Sequence, residues 1–345
     1  MWLPNRVLHC GHFGRYAVSS SKSPLPLHSP VPFIIVLTKI RARTDASHGT
    51  RQRKERNSKS QLQIQKTKTM KNILVPIDFS NHSKSAVKTA AFLAGKTDAQ
   101  LHLLHVVPGP ENWEIMPVAH QQENPEMESR MLKASLKMEN FSKDSLFRDR
   151  MVLTHVKTGI AHERIVSVAK SEKVDLIVIG AHGAGESQSI FIGSTAQKVL
   201  RTASCPVLSV KENFSPTSIG KILFASDFEE DITCELTTVS DLGASLKANV
   251  ELTFINTPSN FVDTEISEQR MKKVLPAESE VKFEQYIYNH HNKEQGILNA
   301  AQQRGAGMIA MVTHNRRGKP GYSLGITEAL LFSSDIPVLS MVLKR

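Results

Sequence analysis

Cysteine is scarce in this chain. There are three in 345 residues, Cys10, Cys205 and Cys234. None is spaced from another as a metal ligand would be, and three cannot frame a disulfide-stapled domain. They read as idle thiols of a reducing compartment, so a cytoplasmic location is expected. Long apolar runs are missing too. No stretch approaches the ~18 residues of a membrane span, and the longest near the N-terminus, Phe33 to Leu37, is short. A membrane partner is therefore not expected. Catalytic signatures are also lacking: there is no phosphate-loop lysine motif, no defensible Ser-His-Asp pattern and no metal cluster. His290-His291 has no carboxylate or third ligand at fixed spacing, and reads as a surface turn. No catalytic or metal-binding residue is nominated.

A strongly basic face is absent from most of the chain, despite a net charge of +10. Residues 1–69 hold 13 Lys+Arg against 2 Asp+Glu, which leaves 30 against 31 in the other 276 residues. The part with globular patterning is near neutral, and a nucleic-acid partner is not expected. Segment 1–69 has no sustained periodicity and reads as disordered or spurious. It is compatible with a basic tail, a transit-type leader, or translation that starts at Met70, directly before the first strand pattern. His9-Cys10-Gly11-His12 matches the HxGH signature of nucleotidylyl transferases. It lacks the strand and helix flanks that the chemistry needs.

What is present is a repeat. Val174 to Val210 reads as strand, glycine loop, helix, strand, with Gly180, Gly183 and Gly193 punctuating the loop and Ser194 opening the helix. Such a loop places backbone N–H groups and a helix N-terminus where an anion can sit. Around it, five apolar strands alternate with helical patterns, and the order recurs. Asn72 to Ser80 (NILVPIDFS) parallels Lys221 to Glu229 (KILFASDFE), and Pro206-Val-Leu-Ser209 is repeated as Pro337-Val-Leu-Ser340. Alternation of this kind implies right-handed βαβ units, a parallel sheet and helices on both faces. Ligands of such sheets bind beyond the carboxyl ends of the strands, at the switch in strand order. Asp78 and the loop after Ile179 both fall there.

The VPIDFS and LHVV strands, the G-x2-G-x9-G-S loop and the closing CPVLSV strand together resemble a universal stress protein domain. The resemblance is full over 70–212 and looser over 219–345, a tandem of two domains joined by a linker at Ser215, Pro216 and Thr217. It implies two flavodoxin-like α/β domains with strand order 3-2-1-4-5, and an ATP-binding regulatory role in stress response. By the same resemblance, Pro76, Asp78 and Val106 flank the adenine. Ile179 and Gly180 approach ribose and phosphates. Gly183, Gly193, Ser194 and Thr195 hold the phosphates, with Mg²⁺ bridging them if hydrolysis occurs. Taken singly, Asp78 is equally a helix cap or an acceptor of loop N–H groups, the glycines are equally turn residues, and Ser194 and Thr195 are equally caps. A stress protein acting through protein partners without nucleotide, and a slow ATPase, are the alternatives.

The second half departs from the pattern. Val312 stands for Gly180, Asn315 for Gly183, Ile326 for Ser194 and Ala225 for Pro76, while Asp227, Gly325 and Thr327 keep their types. A degenerate site with weak or no affinity for ATP is expected there, beside a basic loop at Arg316, Arg317 and Lys319. The matching fifth strands are expected to pair across the two halves, with further homodimerisation left open.

Overall fold

The computed structural model describes residues 70–147, 150–181, 193–212, 214–276, 278–313 and 325–343. Both halves lie within one compact unit, Gln63–Arg345. The first half runs β1 (Asn72–Pro76), α1 (Asn81–Thr97), β2 (Gln100–Val107), α2 (Val118–Gln122), α3 (Pro125–Ser142), β3 (Val152–Thr158), α4 (Ala161–Ser171), β4 (Leu176–Gly180), α5 (Ser194–Thr202) and β5 (Val207–Val210). The second runs β6 (Lys221–Ala225), α6 (Thr233–Leu246), β7 (Asn249–Asn256), α7 (Thr264–Val274), β8 (Phe283–Asn289), α8 (Lys293–Gln303), β9 (Met308–Thr313), α9 (Ile326–Ser333) and β10 (Val338–Val342).

The strands form a single ten-stranded sheet in the order β3-β2-β1-β4-β5-β10-β9-β6-β7-β8. Each half thus has the 3-2-1-4-5 order, and pairing within each half is parallel. The halves meet at β5 and β10, which are antiparallel, with Leu339 opposite Leu208, Val338 opposite Ser209 and Ser340 opposite Val207. Four buried residues in a row make up β5. That pattern belongs to a strand flanked on both sides and covered on both faces. The sheet's edges are β3 and β8, whose residues are mostly partly exposed.

Alternation along each strand sends side chains to opposite faces. Ile73 and Val75 enter one apolar core with α1, α3, α6 and α7; Leu74 enters another with α4, α5, α8 and α9. Each core runs across both halves. The helix starts follow local chemistry. Ser80 caps α1 by accepting from the Ser83 N–H, and Asn124 caps α3 in the same way, ahead of Pro125 in the first turn. Asp98 in the left-handed region ends α1. The expected linker is in part a 3₁₀ turn, Pro216–Ser218.

Candidate functional site

The strand order switches between β1 and β4, and the chain crosses this crevice at its carboxyl end in three places. The first crossing is the turn from β1 to α1. Phe79 takes φ = 68°, a conformation bulky residues rarely adopt. Its ring is held by contacts on several sides: His105 at 4.9 Å, Phe141 at 5.9 Å and the Lys137 ammonium 3.9 Å from the ring centre. His105 also fixes the end of β1, since its Nδ1 lies 2.7 Å from the Ile77 carbonyl oxygen. That oxygen can only accept, so the proton is on Nδ1. The turn directs Asp78 back over the helix start, where its Oδ1 accepts from the Ser80 N–H (3.0 Å) and hydroxyl (2.6 Å). Of the roles open to Asp78, the geometry displays acceptance of loop hydrogen bonds that brace the α1 cap.

The second crossing is the end of β4. Ile179 is buried with its side chain in the core, so only its backbone faces the crevice. Gly180 lies against the start of α1. A Cβ there would sit 2.8 Å from the carbonyl carbon of His82 and 3.0 Å from its oxygen. Packing therefore accounts for this glycine without any ligand. Glu212, just past β5, secures the same helix start by accepting from Asn81 at 2.9 Å and facing His82 at 3.8 Å.

The third crossing is the N-terminus of α5. The Gly193 N–H donates to the Ala181 carbonyl at 3.0 Å, drawing the helix start to the end of β4. Gly193 has no side chain to cap the helix. Ser194 is exposed and Thr195 half-buried, so both hydroxyls sit at the positive end of the helix dipole. Gly183 lies outside the described residues. Pro76 and Val106 are partly exposed at the ends of β1 and β2. The structure thus brings Asp78, Gly180 and Gly193 to one crevice, through the contacts of Gly180 with α1 and of Gly193 with Ala181.

This crevice lies on a doubled 3-2-1-4-5 sheet with a glycine-capped helix after the fourth strand, and comparisons with known proteins agree with that arrangement. A model of the universal stress protein family matches residues 69–211. One universal stress protein of Methanocaldococcus jannaschii is 34% identical over 158 residues, which cover 42% of this chain and 97% of the relative. The chain belongs to the universal stress protein family. Another stress protein of that organism is 30% identical over 150 residues, 41% of this chain and 82% of the relative. A solved universal stress protein from Archaeoglobus fulgidus shares the fold across both halves. Its TM-score is 0.59 at 18% identity, over 79% of this chain and 98% of that one.

The second half of this universal stress protein places different chemistry at the matching points. Register equates Val312, opposite Met341, with Gly180, opposite Val210, and equates Ala225 with Pro76. Seven residues separate β6 from α6, against four between β1 and α1. The helix start is thus set differently, and a valine occupies the glycine's place. Phe228 repeats the positive φ of Phe79, at 54°. Asp227 faces the Lys293 ammonium at 3.7 Å. Asn315, Arg316, Arg317 and Lys319 lie outside the described residues. Among the described residues no group of three His, Cys, Asp or Glu side chains is placed to hold a metal ion, and no helix is long and apolar enough to cross a membrane.

The residues that shape the crevice but escape a sequence reading are His82, His105 and Glu212. Each acts through contacts with residues distant in sequence and belongs to no local pattern. Only the Asp-Phe pair carried a signal, by recurring at Asp78-Phe79 and Asp227-Phe228.

Proposed function

We propose that the chain is an ATP-binding universal stress protein with a regulatory role in stress response, and that the nucleotide is bound by the first half. The observation that carries this reading is the convergence of the Asp78 turn, the end of β4 and the glycine-capped start of α5 at the strand switch. The donor set suits a phosphate: helix N–H groups and the Ser194 and Thr195 hydroxyls. A phosphate at such an N-terminus gains about 0.3–1 kcal/mol from the dipole, and about 2 when partly buried. Several contacts together would have to supply the roughly −8 kcal/mol of micromolar binding. Pro76 and Val106 would line the base, and Gly183 would complete the loop. Mg²⁺ would arrive with the phosphates it bridges.

The second half, with Val312 and Ile326 at the matching points, then binds ATP weakly or not at all. Its role is structural: β10 covers β5 and makes one chain serve as its own partner. Binding of ATP shifts the balance of conformations presented to protein partners.

Mass spectrometry of nucleotide released from the purified, denatured protein tests the reading, together with calorimetric titration of ATP. We expect one ATP per chain, and a loss of about tenfold or more in affinity for Gly193→Val, equivalent to roughly 1.4 kcal/mol. Absence of any ATP affinity up to millimolar concentrations would overturn it.

A further inference from the structure

A cavity of about 800 Å³ lies between the halves, at the opposite end of the first half's sheet from the candidate crevice. The antiparallel junction creates it. Because β10 runs against β5, the carboxyl end of β10 stands beside the amino ends of β4 and β5. The first half contributes Val174 and Pro206; the second contributes Met341, Val342 and, from α6, Leu242. Neither half forms this apolar lining alone. The volume is that of a site for a small organic molecule.

The charged groups of the cavity are divided by half. Lys170 and Lys173 come from the first, where Asp175 is already engaged, accepting from the Lys71 and Asn72 N–H groups at 2.8 and 3.2 Å. Glu235 of α6 is buried and likewise engaged. The second half also supplies Asp241 of α6 and Glu280, just before β8. A contact of 3.3 Å between the Ser240 and Ser279 hydroxyls joins these two segments, so the two carboxylates are neighbours. Burial, and then the Glu280 charge, push the Asp241 carboxyl up, and no cation offsets them. Among the described residues neither carboxylate has an ion-pair partner. A positive group between neighbouring carboxylates relieves their repulsion. The apolar lining adds a demand that an inorganic ion does not meet: a hydrocarbon body attached to the charge. Lys170 and Lys173 disfavour a second positive charge on it.

We propose that this cavity is a binding site for a primary amine on an apolar body, with the ammonium between Asp241 and Glu280 and the hydrocarbon against Pro206, Leu242 and Met341. The inference does not rest on the nucleotide reading, since the cavity and the crevice lie at opposite ends of the first half's sheet.

Calorimetric titration of the full chain without ATP tests this, with phenethylamine as the probe and phenethyl alcohol as its uncharged counterpart. The amine should saturate a single site, and the alcohol should bind about tenfold or more weaker. Asp241→Asn should weaken the amine about tenfold and Glu280→Gln about threefold, with the alcohol unaffected by either. Glu280 is exposed, so its variant keeps the fold whatever Asp241→Asn does. Cys205 and Cys234 line the same cavity and report on where the amine sits. Bound amine should slow their alkylation by iodoacetamide, read by peptide mass spectrometry. No saturable binding up to millimolar amine, equal affinity for the alcohol, or unchanged affinity in both variants overturns the proposal. So does amine binding that protects neither cysteine.

Discussion

Gly180 illustrates how one residue carries two demands. Its missing Cβ is required by the backbone of His82, 2.8 Å from where that carbon would be. A phosphate or ribose passing nearby would need the same close approach. Stability separates the two demands. Gly180→Ala should lose about 1–3 kcal/mol in chemical denaturation without any nucleotide present, because α1 or β4 must shift. An unchanged midpoint would mean that packing does not require the glycine. Glu251 poses a different problem at the same scale. It is fully buried on β7, with Arg304 at 2.7 Å and Lys221 at 3.2 Å. Removing one partner of a buried pair costs about 3–5 kcal/mol, since the other charge is left uncompensated. Arg304→Ala should therefore destabilise the fold by an amount toward the low end of that range, because Lys221 remains. Equilibrium unfolding in urea measures it, and a loss below about 1 kcal/mol would assign the pair no net structural weight.

Between neighbouring elements, β2 and β3 share a histidine pair that the matching strands β7 and β8 replace with Glu251 and Tyr286. His102 Nδ1 and His155 Nε2 are 3.1 Å apart, and the rings are stacked at 5.3 Å. The Asn72 amide nitrogen donates to the Glu172 carbonyl, which turns its Oδ1 toward His102 Nε2 at 3.4 Å. This chain is satisfied with both rings neutral: His102 donates from Nε2 and accepts at Nδ1 from His155. Burial, and then the neighbouring His155, lower the pKa of His102 against an opposing pull from Glu172. Burial also lowers that of His155, again against Glu172 and with help from Lys157. Both folded values lie below the ordinary value of about 6.5, so the unfolded chain binds more protons in that window. Stability from the pair is complete above about pH 6.5 and is lost as pH falls through the lowered values. The melting temperature should drop between pH 7 and 5, and the drop should shrink in His102→Leu/His155→Leu. An identical pH profile in that double variant would exclude the pair as its cause.

At the scale of the whole molecule, the continuous sheet and the two shared cores make the halves one cooperative body. Calorimetry should show a single unfolding transition; two separated transitions would contradict this. Leu208 and Leu339 face each other at the junction and are 0% and 1% exposed. Leu339→Ala should cost about 2–5 kcal/mol, as large-to-small core changes do. A chain limited to residues 70–212 would leave β5 as an open apolar edge. Since the Pro-Val-Leu-Ser run occurs in both halves, β5 of one copy can pair with β5 of another. Such a fragment should sediment as a dimer, and a monodisperse monomer would count against the pairing as a source of association.

Much of the fold was legible in the residues alone. Apolar runs bounded by turn residues marked the strands, the recurrence of IL(V/F)-x-x-DF and PVLS marked the doubling, and βαβ alternation required a parallel sheet, because side-chain periodicity and crossover handedness are local properties. The switch in strand order between β1 and β4, where the candidate crevice lies, followed for the same reason. Three things depended on tertiary contacts. Asp78 braces the α1 cap, and no pattern separates that from another role. Gly180 answers to His82, about a hundred residues away in sequence, and only packing brings them together. Glu328, whose carboxylate accepts from the Gly325 N–H, resembles an ordinary capping residue until Arg201 arrives from the other half. Hydrophobic periodicity is written along the chain, but which charge meets which is settled only where distant segments are brought within a few ångströms.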